Sequence, residues 1–158
     1  MGFLSFIKGN RKSDRAGSSR SGKAERLYTE GKNFSDHCRY EEAKRCYEEA
    51  LKLDPDFVDV WNNMGVVLVR QNKHEEAIRC LNRAIRLDPS FKKLWNNKGN
   101  ALFSLGRYDE AINCYEEAIK LDPNYGIAWQ NKGEALEASA HQSEADEAFV
   151  KARKLLHK

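Results

Sequence analysis

Apolar residues recur along most of the chain with the spacing of amphipathic helices. In one stretch Trp95, Gly99 and Leu102 fall at positions i, i+4 and i+7, and a second stripe of small and apolar residues follows a break at Gly106. The second stripe consists of Ala111, Cys114, Tyr115, Ala118 and Ile119. Both stripes have the 3.6-residue period of an α-helix, and neither alternates as a strand does. The pattern therefore predicts a pair of helices joined by a short turn.

This two-helix pattern recurs every 34 residues. Whole residue types keep the spacing: Trp61, Trp95 and Trp129; Pro55, Pro89 and Pro123; Gly31, Gly65, Gly99 and Gly133. Such a period predicts stacked repeats at 24–57, 58–91, 92–125 and 126–158, each of which buries an apolar face on its neighbours. Because the residue before a proline avoids the helical region, the proline column predicts where the second helix of a repeat ends.

Small and polar residues have separate roles in this array. The glycine and alanine columns let paired helices pack closely, so a bulky residue at Gly99 should cost about 1–3 kcal/mol.

The last repeat has Asp146 and Arg153 where the second helix of the middle repeats carries isoleucine. The first repeat has Arg26 and Asn33 where the first helix of the middle repeats is apolar. Because polar outer faces keep a stacked array soluble, we expect a monomer of four repeats.

The columns resemble those of the tetratricopeptide repeat, W-x2-L-G-x2-Y, then A-x3-F, A and P over 34 residues. The third repeat carries this pattern in Trp95, Gly99, Leu102, Ala111, Tyr115, Ala118 and Pro123, with Lys98 in place of the leucine. Leu27 stands at the tryptophan position of the first repeat, and the fourth has no proline before the sequence ends. The resemblance covers 24–158. It implies an all-α, right-handed α-solenoid of antiparallel helix pairs that binds proteins as a scaffold.

In this family the first helices line a concave surface, where the resemblance places a binding site for a peptide or a partner helix. These helices carry two asparagine-rich columns, Asn62, Asn96 and Gln130, and Asn63, Asn97 and Asn131, which we call the asparagine ladder. Because side-chain amides match the donors and acceptors of a peptide backbone, the ladder predicts contact with an extended peptide. Hydrogen bonds between neighbouring helices are the alternative, and the two columns could divide these roles. The other predicted contact residues are Val66, Arg70, Lys93, Asn100, Phe103 and Glu134.

One version of this fold clamps the C-terminal carboxylate of a chaperone with lysine, asparagine and arginine side chains. Here only Asn63 and Lys93 match that set, because Tyr28 and Lys32 occupy the first two positions and Asn97 replaces the arginine. Without arginine the clamp lacks its bidentate partner for a carboxylate. We therefore predict that this particular clamp is absent.

Residues 1–23 differ from the repeats, since Ser, Gly and basic residues dominate their second half. They hold six basic residues against Asp14, a net charge of +5 in a chain whose total is +3. Such a segment buries too little apolar surface to order itself, so we predict a disordered leader. Its charge suggests an alternative function, in which the leader tethers the array to an acidic membrane surface or to nucleic acid. Nucleic acid is not an expected partner of the repeats, and a pure spacer with no ligand is a further alternative.

No pattern in the chain predicts chemistry. The histidines, His37, His74, His141 and His157, show no metal-ligand spacing, and there is no CxxC pair or phosphate-binding glycine motif. We therefore expect no enzyme activity, cofactor, metal or small-molecule substrate. Cys46, Cys80 and Cys114 form a column of half-buried residues, and Cys38 is predicted as a free exposed thiol in a turn. Since no apolar run approaches the ~18 residues of a membrane span and no signal peptide is evident, we expect a cytoplasmic protein.

Overall fold

The computed structural model of the protein describes residues 11–157, with side chains from Arg20 to His157. Within that range every regular element is an α-helix, so the predicted all-α fold class is confirmed. The helices are α1 (Arg11–Asp36), α2 (Tyr40–Leu53), α3 (Val58–Arg70), α4 (His74–Leu87), α5 (Lys92–Ser104), α6 (Tyr108–Leu121), α7 (Gly126–Ala138) and α8 (Gln142–Leu156). Helices α3, α5 and α7 begin at the first residues of the second, third and fourth predicted repeats. None of the described helices has both the length and the hydropathy needed to span a bilayer.

Helix α1 begins earlier than the sequence predicts. Residues 11–23 belong to α1, so the prediction of a disordered leader is wrong for them, while residues 1–10 lie outside the described range. The side chains from Arg20 to Lys23 are exposed, and Ala24, only 1% exposed, is the first described side chain that is buried. Extending a helix from a packed turn adds a backbone hydrogen bond per residue without a new nucleation cost. The helix can therefore continue through exposed residues such as Arg20 to Lys23.

The chain divides into two compact units, Met1–Val60 and Trp61–Lys158. In the first unit α1 packs against α2, and Tyr47 is buried over Gly31. A Cβ atom added at Gly31 would lie 2.5 Å from Cε1 of Tyr47. The ring of Tyr28 contacts that of Phe57, with 5.2 Å between centroids. Aromatic rings thus pack together in the core of the first repeat.

The second unit repeats the same close packing of helix pairs. Its glycines on first helices face large side chains on second helices, in the pairs Gly65 and Leu81, Gly99 and Tyr115, and Gly133 and Phe149. An added Cβ would overlap the facing side chain in each pair, which confirms the close approach that the glycine column predicts. Ala135 of α7 belongs to the same buried cluster as Leu102 and Tyr115, so these neighbouring repeats share one core.

The proline and tryptophan columns act together where one repeat meets the next. Helices α2, α4 and α6 each end two residues before a proline, as predicted. The Trp95 indole donates a hydrogen bond from Nε1 to the backbone oxygen of Pro89 (2.9 Å), and Trp129 does the same to Pro123 (3.0 Å). Each of these tryptophans therefore fastens its helix to the loop that precedes it.

The turn inside each repeat contains one residue with a left-handed backbone. These residues are Cys38 (φ 59°), Asn72 (φ 60°), Gly106 (φ 73°) and Ala140 (φ 65°). Glycine adopts this conformation without steric cost and asparagine tolerates it, whereas a cysteine or alanine there is strained. Cys38 is a free, exposed cysteine in a turn, which confirms the prediction for its thiol.

The outer faces of the first and last repeats are polar. Arg26 and Asn33 are exposed on α1, and Asp146 and Arg153 are exposed on α8. This agrees with the predicted polar ends of the array. The monomeric state stays a prediction.

Candidate functional site

The predicted contact residues all lie on α3, α5 and α7, within the second unit. Their burial differs along each helix. Asn62 and Asn96 are only 8% and 4% exposed. Asn63, Val66, Asn97, Asn100, Phe103 and Asn131 are half-buried, and Arg70, Lys93, Gln130 and Glu134 are exposed. The half-buried and exposed residues are the ones that can meet a partner.

The asparagine ladder connects neighbouring repeats. Asn97 donates a hydrogen bond from Nδ2 to Oδ1 of Asn62 (2.8 Å), and Asn131 donates from Nδ2 to Oδ1 of Asn96 (2.9 Å). Each bond joins residues 35 apart, from one column to the other column of the preceding repeat. The inter-helix role is thus observed for both columns. Asn62 and Asn96 have almost no surface left for a peptide, because burial and this pairing use their side chains.

Asn100 lies where three helices meet. Its Oδ1 accepts hydrogen bonds from Oη of Tyr115 (2.9 Å) and from Nδ2 of Asn131 (3.0 Å). The phenol of Tyr115 is 1% exposed, and burial raises its pKa above the usual range, so it stays a neutral donor. In the described part of the chain, Nδ2 of Asn100 and Oδ1 of Asn97 and Asn131 have no hydrogen-bond partner. The half-buried amides therefore keep a donor and two acceptors for a ligand.

A cavity of about 540 Å³ opens beside these amides. Residues of α3, α4 and α5 line it, among them Val66, Val69, Arg70, His74, Asn97 and Asn100. Val69 and Val66 supply apolar surface, and the other four supply polar groups. A small cleft with apolar walls and a few converging polar groups is the usual form of a ligand site.

His74 is one of the lining residues that the sequence analysis does not assign to the site, together with Asn72, Leu81 and Ser104. The sequence shows only that His74 lacks metal-ligand spacing, whereas in the structure it begins α4 and lines the cavity. Its position in the repeat is occupied by Tyr40 in the first repeat and Tyr108 in the third. That change from tyrosine to a smaller polar ring was the signal available in the sequence.

The remaining predicted residues are held in different ways. Phe103 packs on Tyr108, with 5.3 Å between ring centroids, and lies against the buried core. Gln130 donates a hydrogen bond from Nε2 to Oε1 of Glu134 (3.2 Å) along α7. Lys93 is exposed on the first turn of α5. Gln130 lines a second cavity together with residues of α8, among them Asp146 and Val150, so the structure separates it from the cavity beside Asn97 and Asn100.

The thiols and acids of the described residues show no sign of a reactive site. Among the side chains described, from Arg20 to His157, no group of three or more His, Cys, Asp or Glu could hold a metal ion. Cys46, Cys80 and Cys114 form no disulfide in the described structure, and burial raises the pKa of the Cys46 and Cys114 thiols, which disfavours the reactive thiolate.

Family models match most of the described chain. One model of the tetratricopeptide repeat matches residues 58–91 and 93–125. A second tetratricopeptide repeat model matches residues 114–149, and a TPR repeat model matches residues 39–72. No curated protein matches the chain at a significant level.

Several solved structures are similar to this one. A crystal structure of MamA has a TM-score of 0.79 at 25% identity, covering 90% of this chain and 83% of that chain. The first TPR of Spaghetti (RPAP3), bound to the HSP90 peptide SRMEEVD, has a TM-score of 0.74 at 29% identity. The match covers 76% of this chain and 95% of that chain. MamA 41-end from Desulfovibrio magneticus RS-1 has a TM-score of 0.78 at 23% identity, covering 84% of this chain and 75% of that chain. This match supports the fold alone.

Proposed function

The chain belongs to the tetratricopeptide repeat family, and we propose that it is a protein–protein interaction module whose helices α3, α5 and α7 hold an extended peptide or a partner helix. The observation that carries this proposal is the group of half-buried amides of Asn97, Asn100 and Asn131 beside an open cavity. The similar Spaghetti structure, which holds a peptide, supports the same class of ligand here.

The contacts available on this surface suit a peptide backbone with a few apolar side chains. Amide donors and acceptors pair with backbone groups without selecting side chains. The apolar walls at Val66 and Val69 can bury an anchor residue of the partner. Because these contacts are mostly uncharged, we expect binding to weaken only modestly as salt rises. A steep loss with salt would instead favour tethering through the basic residues 1–23.

A substitution at Val66 tests the proposal. Val66→Glu puts a charge on the apolar wall, and Glu134 shows that glutamate fits this position of a repeat, so the fold should persist. Val150→Glu is a matched control, because Val150 is 52% exposed on α8, outside the proposed surface. The full-length chain and both variants would serve as baits for affinity capture from native lysate, followed by mass spectrometry, after circular dichroism shows equal helicity.

The two variants separate the possible outcomes. A partner retained by the wild type and by Val150→Glu, but lost from Val66→Glu, supports the proposed surface. A partner retained equally by all three baits shows that binding occurs elsewhere on the molecule. If no protein is captured above background, the interaction role itself is not supported.

A further inference from the structure

The cavity beside α4 is lined by smaller side chains than those at the same positions of repeat three. In the third repeat Phe103 and Tyr108 contact each other, with 5.3 Å between their ring centroids. The corresponding residues of the second repeat are Val69 and His74. Both residues line the cavity of about 540 Å³, and their smaller volume makes it wider than rings at these positions would. A protein interior normally fills such space, so a cavity kept open at the proposed surface is a candidate subsite.

The charge at this cavity is positive. Arg70 lines it and, in the part of the chain that the structure describes, has no ion pair and no hydrogen bond. None of the described residues that line the cavity is acidic. The same position is Ser104 in the third repeat and Ala138 in the fourth, so the cation is particular to this cavity. An unneutralised guanidinium beside neutral amides favours an anionic ligand group.

Two side chains that line the cavity with Arg70 can donate hydrogen bonds to such an anion. Nδ2 of Asn100 is a donor without a partner among the described residues. Nδ1 of His74 is buried and has no hydrogen-bond partner there, which costs free energy in the unliganded protein. Rotation of the imidazole about its Cβ–Cγ bond would turn this nitrogen towards the cavity. A bound acceptor would then satisfy it.

We infer that this cavity holds an acidic side chain of the bound peptide, whose carboxylate accepts hydrogen bonds from Arg70, His74 and Asn100. A single guanidinium matches one carboxylate, whereas a doubly charged phosphate is usually held by a cluster of arginines. The inference rests on the proposed function, since it names the chemistry of one side chain in the proposed ligand. It places specificity in repeat two, while the asparagine amides contact backbone.

Peptide selection with charge reversal tests the inference. A display library of random linear peptides would be selected on the full-length chain, on Arg70→Glu and on Arg79→Glu. Arg79 is exposed on α4 away from the cavity and aligns with Glu147 of the fourth repeat, so it is a matched control for the charge change. We expect aspartate or glutamate at one peptide position with the wild type and Arg79→Glu. With Arg70→Glu we expect lysine or arginine there instead.

Binding of individual selected peptides gives the magnitude. Arg70→Glu should weaken an acidic peptide roughly tenfold or more, because it removes a charged hydrogen bond and adds repulsion. His74→Tyr, which introduces the residue found at the equivalent position Tyr108, removes one proposed donor and narrows the cavity, so it should weaken the acidic preference while the fold is kept. Peptides without an acidic position, or an acidic preference unchanged in Arg70→Glu, would overturn the inference and leave the proposed function standing. If no form selects any peptide, the proposed function fails and the inference fails with it.

Discussion

At the scale of single residues, a glycine without a side chain lets a buried ring pack directly on the backbone of the neighbouring helix. Gly99 touches the ring of Tyr115, which is 1% exposed and also donates to Asn100. The ring cannot move away without losing both its burial and its hydrogen bond. The helix pair α5 and α6 therefore depends on glycine at this position.

We expect Gly99→Ala to lower the free energy of unfolding by about 1–3 kcal/mol, because the new methyl group overlaps the buried ring of Tyr115. Urea unfolding followed by circular dichroism measures this change. Gly22→Ala is the control, since no atom lies within 4 Å of a Cβ added there, and the gain in helix propensity should make it neutral or stabilising by up to ~1 kcal/mol. Equal effects of the two substitutions would show that packing is not the cause.

At the scale of helices, the sequence predicts the elements well and the bonds between them poorly. Repeating columns identify helix starts at Val58, Lys92 and Gly126, because the same apolar spacing and the same proline recur. The extension of α1 back to Arg11 is missed, since residues 11–23 carry no apolar pattern in the sequence and the described side chains from Arg20 to Lys23 are exposed. The spacing of apolar residues predicts a helix that packs against a neighbour. It does not predict a helix that is held only by its backbone hydrogen bonds.

The asparagine ladder shows a second reason for a partial prediction. Columns at the repeat spacing suggest rungs between equivalent residues, but the observed bonds run between residues 35 apart. The choice between ligand contact and helix contact depends on how neighbouring helices are offset, and that offset is a property of packing. Burial of Asn62 and Asn96 could likewise be decided only in three dimensions. The sequence therefore located the right helices and left the function of each amide open.

A double-mutant cycle at Asn62 and Asn97 tests the inter-helix role. We expect Asn62→Ala and Asn97→Ala each to destabilise the fold, with a coupling of about 0.5–1.5 kcal/mol, because the 2.8 Å hydrogen bond is lost once in either variant. Chemical unfolding of the four forms gives the coupling. Asn113→Ala is the control, because Asn113 is exposed on α6 and should be close to neutral. Strictly additive effects at Asn62 and Asn97 would contradict an energetic link.

At the scale of the whole molecule, we expect the exposed face of α8 to influence whether copies of the chain associate. The array buries apolar faces between repeats, so a terminal repeat with the same face would leave that face exposed. Asp146 and Arg153 are exposed on α8 at the positions where the two preceding repeats carry isoleucine. Val150 and Leu156 are already 52% and 46% exposed on the same helix. The two charged side chains interrupt what would otherwise become a continuous apolar patch.

We expect the native chain to be monomeric and the double variant Asp146→Ile, Arg153→Ile to self-associate, because it restores the apolar face of the middle repeats on α8. Light scattering across a range of protein concentrations measures the mass of both. Glu144→Ile with Lys151→Ile is the matched control: it changes one acid and one base with the same spacing on α8, and both residues are exposed. Two residues of helical offset turn these positions to a different side of the helix, where isoleucines find no neighbouring apolar surface, so this variant should remain monomeric. A native dimer, or a double variant at Asp146 and Arg153 that stays monomeric at every concentration, would show that these charges do not control assembly.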